Sequence, residues 1–406
     1  MNIDRLFSER TKGMRPSEIR ELLKLTQNPE IISFAGGLPN PNSFPIDEMQ
    51  EVCRCVLHRY GKQALQYSPT EGIRQLRTNL ALRANKEGID ATSDNVLITS
   101  GSQQGLDVIG RIFLNPGDTI IVGLPSYLGA INAFRSYEIK FEGIPLDKDG
   151  MQVDLVEDKV KELLKKGITP KFIYVIPTFQ NPAGVVMPED RRKKLVDIAN
   201  EYDLIVVEDD PYGKLRFEGN HIRPIKSFDD EGRVIYLSTF SKILSPGFRL
   251  AWMIASEPLA RKLSVGKQAL DLCTNTFVQY LANEFIEKGS LDLHIMKIIE
   301  MYKPKRDIMM ESIKQYFPPD TICHKPKGGM FAWATIPGDI DTEEMFLDAI
   351  KEKVAYIHGK AFYVDGGGAN SMRLNFSYSS NETIREGIKR LGMVIEKRLK
   401  ESLIER

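Results

Sequence analysis

The 406-residue sequence has only four cysteines, and their spacing favours neither disulfides nor a metal site. In a chain of this length they are too few and too scattered for a disulfide framework, which predicts a reducing compartment. Cys53 and Cys55 form a C-x-C pair, but no second pair and no nearby histidine completes a set of zinc ligands. We therefore expect no bound metal, and we expect buried structural roles for Cys53, Cys55, Cys273 and Cys323.

The sequence also lacks a net charge and a long apolar segment. Lys plus Arg and Asp plus Glu both number 55, so no excess charge indicates binding to nucleic acid or to an anionic membrane. No apolar run approaches the roughly 18 residues needed to cross a bilayer. The charged first 20 residues also lack the apolar stretch of a secretory signal. These absences predict a cytoplasmic protein with small-molecule partners, and neither nucleic acid nor membrane as a partner.

What the sequence does contain is an alternation of short apolar strands and amphipathic helices from residue 95 onward. Runs rich in β-branched residues, such as 95–99 and 119–122, are separated by segments with helical spacing of apolar residues. This pattern is typical of an α/β fold in which helices cover a mostly parallel sheet. Later in the chain, a long charged helix and shorter strands indicate a smaller α+β domain. We predict an N-terminal arm and helix that pack with the small domain at 1–45, a large domain at 46–285 and a small domain at 286–406.

Polar residues directly follow two of the predicted strands. Asp209 lies in an acidic triplet after the strand at 204–207, and Thr239 follows the strand at 234–237. In open α/β sheets, ligands bind at this carboxyl edge because loops and helix N-termini converge there. The sequence has neither a G-x-x-x-x-G-K-[ST] nor a G-x-G-x-x-G motif, so nothing indicates ATP or a dinucleotide.

Lys242 lies just beyond the second of these strands, in a segment that combines hydroxyl groups with Gly247 and Arg249. Taken alone, a solvated loop lysine is the simpler interpretation. The segment at 238–249, however, resembles the Schiff-base lysine signature of class I and II aminotransferases, which bind pyridoxal phosphate on the type I fold. The resemblance continues along nearly the whole chain, in the family's order, at Tyr67, Gly101-Ser102-Gln103, Tyr127, Asn181-Pro182-Ala183-Gly184, Asp209-Asp210-Pro211-Tyr212, Lys242, Arg249 and Arg373.

The resemblance implies a fold, a cofactor and an assembly. The fold is the type I transferase fold, with a mostly parallel sheet between helices in a large domain and a smaller α+β domain. The cofactor is pyridoxal 5'-phosphate, bound covalently to Lys242. Tyr67 matches a tyrosine that reaches the phosphate of the neighbouring subunit, so a homodimer with active sites at the subunit interface is expected.

Further residues resemble the family's ligands of the cofactor. The phosphate needs several hydrogen-bond donors, which the start of a helix supplies, although an ordinary helix cap explains the residues at 101–103 equally well. Thr239 replaces the serine usual in the family and keeps the hydroxyl. The resemblance assigns the phosphate to Gly101, Ser102, Gln103, Thr239, Ser241 and Arg249, in addition to Tyr67.

The cofactor ring has its own expected partners. Asp209 matches the carboxylate that keeps the ring nitrogen protonated, although an exposed loop acid is the simpler alternative. Asn181 and Tyr212 match the pair that hydrogen-bonds the phenolic oxygen of the ring, and Asn181 otherwise begins an ordinary turn. Tyr127 resembles the aromatic residue stacked on the ring face, where core packing is the alternative. Lys242, Asp209 and Tyr212 are thus the expected catalytic residues.

Substrate binding is assigned in the same way. Arg373 matches the arginine that binds the α-carboxylate of the amino acid through two parallel hydrogen bonds. Gly37 resembles a glycine whose backbone approaches the substrate, although a plain turn explains it nearly as well, and the resemblance also assigns Asn181 to substrate binding. The segments at 16–23 and 33–41 resemble the 2-aminoadipate and kynurenine aminotransferase subgroup. Arg20 coincides there with a mobile arginine that meets a distal carboxylate, unless it is a solvent-facing helix residue.

We therefore expect an aminotransferase that works by ping-pong exchange between an amino acid and a 2-oxo acid. The donor is 2-aminoadipate, an aromatic amino acid or another of a broad range, and 2-oxoglutarate and glutamate are the expected second pair. One alternative is another fold type I enzyme, a decarboxylase, carbon–sulfur lyase or acyl transferase. The other is a non-catalytic regulator that binds the cofactor, for which the early position of Gly36 and Gly37 leaves no room for a DNA-binding domain.

Overall fold

Helices surround one large and two smaller β-sheets in the computed structural model of this chain, which describes residues 3–8, 10–11 and 28–404. The helices are α1 Ile46–Ala64, α2 Arg74–Asn85, α3 Ser102–Phe113, α4 Leu128–Arg135, α5 Val153–Lys165, α6 Glu189–Glu201, α7 Glu257–Asp271, α8 Thr276–Glu287, α9 Ser290–Tyr316, α10 Phe346–Lys351 and α11 Asn381–Ile404. The strands are β1 Ile32–Ser33, β2 Val96–Thr99, β3 Thr119–Leu124, β4 Lys140–Asp147, β5 Gly150–Met151, β6 Phe172–Val175, β7 Ile205–Asp209, β8 Val234–Thr239, β9 Ala251–Ile254, β10 Ile322–Cys323, β11 Phe331–Thr335, β12 Val354–Ala355, β13 Ile357–His358 and β14 Ser371–Asn375.

The large sheet has eight strands in the order β2-β9-β8-β7-β6-β3-β4-β5. Its central strands β8, β7, β6, β3 and β4 are parallel, whereas β9 runs antiparallel to both of its neighbours, β2 and β8. Parallel strands require a crossover; helix α4 lies between β3 and β4, α5 between β5 and β6 and α6 between β6 and β7, whereas β7 and β8 are joined by a segment whose one helical turn is the 3-10 turn Ile225–Phe228. The predicted α/β architecture with a mostly parallel sheet is confirmed.

Helices bury both faces of the large sheet. Alternate residues of each strand point to opposite sides, so each strand contributes to both buried faces. In β7, Val207 packs with helices α3 and α4 on one face, whereas Val206 packs with α5 and α6 on the other. In β6, Tyr174 lies on the α3 face and Ile173 on the α5 face. The continuous apolar runs of the sequence are the consequence of this double burial.

The strands of the two smaller sheets lie between helices α9 and α11 in the sequence, except for β1. One is antiparallel, in the order β10-β11-β14-β13, and the other pairs β1 with β12. Through this pairing the segment at 32–33 contacts the C-terminal part of the chain, and Asn375 N–H donates a 2.9 Å hydrogen bond to Phe34 O. The division at residues 45 and 285 stays a prediction.

The sequence placed two boundaries slightly wrongly. Strand β7 continues to Asp209 instead of ending at Val207, because Glu208 and Asp209 are themselves buried and belong to the sheet. Strand β8 likewise continues to Thr239 instead of ending at Leu237, because Ser238 and Thr239 are also buried.

All four cysteines are free, and they are half-buried instead of fully buried as predicted. Cys55 Sγ lies 3.2 Å from Glu284 Oε1, which it can reach as a donor because α1 packs against α8. Across the described ranges, no helix is long and apolar enough to cross a membrane. Among these same residues, no group of three metal-ligating side chains comes together.

Candidate functional site

Many of the expected site residues lie at the ends of strands β2, β7 and β8 or just after them, at one edge of the large sheet. The reversed strand β9 brings two of these ends together: Ala251 is in register with Thr99 of β2 on one side and with Thr239 of β8 on the other. The turn at 100–102 and the loop at 240–250 therefore begin next to each other. The loop carries Lys242 and Arg249.

Lys242 is half-buried, and its Nζ donates a 2.8 Å hydrogen bond to Gly37 O. Burial, together with the positive charges of Arg373 and Arg249, lowers the pKa of Lys242 to about 8. A solvated loop lysine does not fit this environment. Near neutral pH a substantial fraction of the amine is uncharged and available as a base or nucleophile.

We expect Lys242 in the cofactor-free protein to react with acetic anhydride with a midpoint near pH 8, because only the neutral amine is acylated. An ordinary lysine has a pKa of about 10.4. Arg373→Gln removes a positive neighbour and should move the midpoint to higher pH. Peptide mass spectrometry measures the labelling, with the exposed Lys303 as the internal reference. A wild-type midpoint above 10, or a downward movement in Arg373→Gln, contradicts the expectation.

Asp209 is a buried carboxylate with one oxygen left free. It is only 1% exposed, and its Oδ2 accepts a 2.7 Å hydrogen bond from Tyr174 Oη. Its Oδ1 has no hydrogen-bond partner among the residues that the structure describes. Burial raises the pKa of Asp209 to about 7, against the opposing effect of the Tyr174 hydroxyl. The free oxygen is thus suited to a ligand that brings a proton or a positive charge.

The two acidic neighbours of Asp209 point away from it. Glu208 accepts 2.8 Å hydrogen bonds from the backbone N–H groups of Ile225 and Lys226. Asp210 accepts hydrogen bonds from Gly213 N–H and from a tyrosine hydroxyl. The three carboxylates therefore have separate partners. Asp209 is buried, so the alternative interpretation of it as an exposed loop acid is wrong.

A chain of hydrogen bonds links the second buried cation to an amide and a phenol. Arg373 donates from Nη1 to Asn181 Oδ1 at 2.9 Å and from Nη2 to Ala35 O at 2.7 Å. Asn181 Nδ2 in turn lies 3.1 Å from Tyr212 Oη. Burial lowers the pKa of Arg373 to about 10, so the side chain remains charged at neutral pH. Both of these hydrogen-bond acceptors of Arg373 are neutral, so the buried guanidinium can still bind an anionic group of a ligand.

Two aromatic rings flank the guanidinium of Arg373. Its Cζ lies 4.2 Å from the ring centre of Phe331 and 5.0 Å from that of Phe362. Such contacts favour the cation and restrict the plane of the group. Sequence reasoning missed both rings and also missed Tyr174. The contact of Tyr174 with Asp209 can be predicted from strand alternation only once β6 is known to neighbour β7.

The expected phosphate ligands lie around the start of helix α3. Gly101 has φ of +83°, and a Cβ on it would overlap the Arg249 guanidinium, so the arginine packs directly on this glycine. The Ser102 hydroxyl is buried without a partner in the described structure. Thr239 and Ser241 are both buried, and their hydroxyl oxygens are 3.0 Å apart. The turn and the loop thus place hydroxyl, guanidinium and helix N-terminal groups together.

The remaining expected residues are less closely tied to this cluster. Burial, and after it the negative charge of Asp209, raises the pKa of Tyr127, which precedes helix α4. Gln103 is exposed, and its Nε2 donates to Gly129 O. Tyr67 is 77% exposed, so within one chain it does not join the site. Arg20 lies outside the described residues.

Known proteins resemble the chain along its length. The family model described as aminotransferase class I and II matches residues 40–391. An aromatic-amino-acid aminotransferase 1 from Thermococcus litoralis is 51% identical over 98% of this chain and 96% of its own. A 2-aminoadipate transaminase from Thermus thermophilus is 39% identical over 96% of each.

A solved structure shows the same relationship. The kynurenine aminotransferase of Pyrococcus horikoshii, in complex with PMP, superimposes with a TM-score of 0.95 at 50% identity and covers 98% of both chains. The match of the family model and these identities lead to one conclusion: the chain belongs to the class I and II aminotransferases.

Proposed function

We propose that the chain is a pyridoxal-phosphate-dependent aminotransferase that exchanges an amino group between an amino acid and a 2-oxo acid. The donors are aromatic amino acids, 2-aminoadipate and others of a broad range, and 2-oxoglutarate with glutamate forms the second pair. The relatives named for aromatic amino acids, 2-aminoadipate and kynurenine support this range. The observation that carries the proposal is the buried, unpaired Asp209 Oδ1 at the same sheet edge as Lys242.

The described residues fit this cofactor. The unpaired Asp209 Oδ1 suits a protonated ring nitrogen, because burial, as the largest cause, raises the pKa of this carboxyl to about 7 and a cation beside it would favour the charged form. The unpaired Ser102 hydroxyl and the Arg249 guanidinium on Gly101 suit a phosphate. Asn181 and Tyr212 would hold the phenolic oxygen of the ring, and Tyr127 would stack on the ring face.

Lys242 is the residue that moves protons in the proposed reaction. When bound, pyridoxal phosphate supplies the electron sink and carries the amino group between the half-reactions. The uncharged amine of Lys242 accepts the proton from Cα of the amino acid as general base and returns a proton as general acid. Its lowered pKa suits both roles near neutral pH.

Arg373 orients the substrate. Its guanidinium binds the α-carboxylate, while Asn181, Ala35 O and the two flanking rings fix its plane. Holding the carboxylate sets the direction of the Cα–H bond relative to the amine of Lys242. Gly37 keeps the backbone close to Lys242, and a Cβ there would lie 3.1 Å from the Phe331 ring. Arg20 would meet the distal carboxylate of acidic substrates.

Gly101→Ala is expected to weaken binding of pyridoxal phosphate by at least about tenfold. The added methyl group would displace Arg249, and the positive φ strains any residue with a Cβ. Spectroscopic titration of the cofactor-free protein measures the dissociation constant. Gly117→Ala is a matched control, since Gly117 also has a positive φ but open space around its Cβ position. Equal affinities of the Gly101 variant and the wild type would contradict the role of this turn.

We further propose a homodimer in which Tyr67 reaches the phosphate of the neighbouring subunit. Tyr67 and Leu65 are both exposed, and residues 64–67 line one surface cavity together with Cys273, Asn275, Thr276 and Phe277. Light scattering tests the assembly. Mixing Tyr67→Phe with Lys242→Ala chains tests the shared site, because one of the two sites in a mixed dimer would then be intact. A cytoplasmic location also stays a prediction.

The proposed function is tested by a half-reaction screen. The cofactor-loaded enzyme is mixed with a panel of amino acids, and loss of the cofactor absorbance is followed together with formation of the 2-oxo acid. Stoichiometric return of the absorbance with 2-oxoglutarate, giving glutamate, is the expected result. Products of decarboxylation, carbon–sulfur cleavage or acyl transfer would favour another fold type I enzyme. Cofactor binding without turnover of any donor would favour a non-catalytic regulator.

A further inference from the structure

An ion pair at the end of helix α7, between a buried lysine and a half-buried aspartate, contacts the turn that precedes helix α3. Lys267 is 0% exposed, and its Nζ donates to Asp271 Oδ1 at 2.8 Å and to Thr70 O at 3.2 Å. The other oxygen of Asp271 accepts from Ser100 Oγ at 2.9 Å and from Gln104 Nε2 at 2.8 Å. One carboxylate thus binds both ends of the turn and is neutralised by one lysine.

The turn itself is closed by a further hydrogen bond. Ser100 N–H donates to Gln104 Oε1 at 2.8 Å, so the Gln104 amide bridges Asp271 and the backbone. Gly101, Ser102 and Gln103 lie between these two anchored residues. Their backbone conformation determines where the helix N-terminal N–H groups and the Ser102 hydroxyl point, and Gly101 is also the residue on which Arg249 packs.

The same lysine reaches a second segment of the proposed site. Thr70, whose carbonyl accepts from Lys267, also donates from Oγ1 to Leu272 O at 2.7 Å. Glu71 O accepts a 2.9 Å hydrogen bond from Ile98 N–H in strand β2. Thr70 lies three residues after Tyr67, which is proposed to reach the other subunit. The ion pair therefore connects the turn at 100–104 to the segment that carries Tyr67.

We propose that Lys267 and Asp271 are positioning residues for the cofactor phosphate. The pair holds the turn at 100–104 in its binding conformation and fastens it to the segment at 67–73. The inference rests on the proposed function, since it assigns the turn to the phosphate. Loss of the negative charge of Asp271 leaves the buried Lys267 uncompensated, so the turn loses its anchor although no ligand contact is removed.

The test compares a ligand that has the phosphate with one that lacks it. Cofactor-free wild type and Asp271→Asn are titrated with pyridoxal 5'-phosphate and with pyridoxal. We expect Asp271→Asn to bind pyridoxal phosphate at least about tenfold more weakly, which is about 1.4 kcal/mol, because the neutral side chain no longer pairs with Lys267 and cannot accept through both of its terminal atoms from Lys267, Ser100 and Gln104. Affinity for pyridoxal should change less than about twofold. Equal losses for both ligands, or no loss, would overturn the proposal.

Two further variants keep the result interpretable. Asp229→Asn breaks a buried pair, Lys226–Asp229 at 2.7 Å with side chains 8% and 0% exposed, and should leave the preference for pyridoxal phosphate over pyridoxal unchanged. Ser100→Ala keeps the ion pair and removes one link to the turn. It should lower that preference in the same direction by a smaller factor, and it decides the matter if Asp271→Asn does not fold.

The outcomes also separate this inference from the proposed function. A wild-type chain that binds neither ligand refutes the proposed function. A wild type that prefers pyridoxal phosphate, with the same preference in Asp271→Asn and Ser100→Ala, overturns only the positioning role of the ion pair.

Discussion

Lys242→Ala is expected to lower the rate of amino-group transfer by at least about 10⁴-fold while the protein still binds pyridoxal phosphate noncovalently. The variant loses the amine that lies 2.8 Å from Gly37 O and has a pKa of about 8, and hence the base for the Cα proton. The residues proposed to hold the cofactor ring and phosphate remain. Single-turnover kinetics with an amino donor and spectroscopic titration of the cofactor measure the two effects separately.

A small primary amine in the buffer provides a direct check on the proton-transfer role. Methylamine can occupy the space left by the lysine side chain and should restore part of the rate, with a pH dependence set by its own pKa. Lys303→Ala, which removes an exposed lysine of helix α9, should behave as wild type. Turnover of Lys242→Ala at the wild-type rate without added amine would refute the assignment.

The second large effect is expected from Arg373→Leu, which should lower kcat/KM for amino acids by a factor between about 30 and several thousand. The range corresponds to the roughly 2–5 kcal/mol lost when one member of a buried charge pair is truncated. The α-carboxylate of the substrate would then be buried without a partner, so KM should rise more than kcat falls. Steady-state kinetics with tyrosine measures both constants.

Two comparisons isolate the carboxylate contact. Tyramine lacks the carboxylate, so the ratio of kcat/KM for tyrosine to that for tyramine should collapse in Arg373→Leu. Arg373→Lys keeps the charge but lacks the planar guanidinium that donates to Asn181 and Ala35 O through two separate nitrogens, so it should recover only part of the ratio. An unchanged ratio in Arg373→Leu would exclude this residue as the carboxylate ligand. Unchanged cofactor affinity serves as the control for folding.

The sequence was sufficient to predict the class of the fold and the edge of the sheet where the polar residues gather. Continuous apolar runs predict doubly covered strands, and alternation predicts that Asp209 faces away from Glu208. Both predictions depend on local geometry, which a sequence pattern records directly. The prediction for Lys242 depended instead on resemblance, since no local pattern distinguishes its half-buried position from that of a solvated loop lysine.

Contacts between distant segments could not be predicted in this way. Tyr174 approaches Asp209 across two neighbouring strands, Phe331 packs on Arg373 from another strand of the small sheet, and Lys267 reaches Thr70 from a helix far along the chain. In each case the partner is an ordinary strand or helix residue in the sequence. Its importance arises from strand order and helix packing, which single-sequence periodicity does not specify.

The reversed direction of strand β9 has a consequence for the biosynthesis of the enzyme. Strand β2 lies at the end of the large sheet, and within the described part of the chain it pairs there with β9 alone. Thr99 and Thr239 become neighbours only when Ala251 is inserted between them. We therefore expect a nascent chain to join the two halves of the proposed anion-binding corner only after residues 251–254 have left the ribosome.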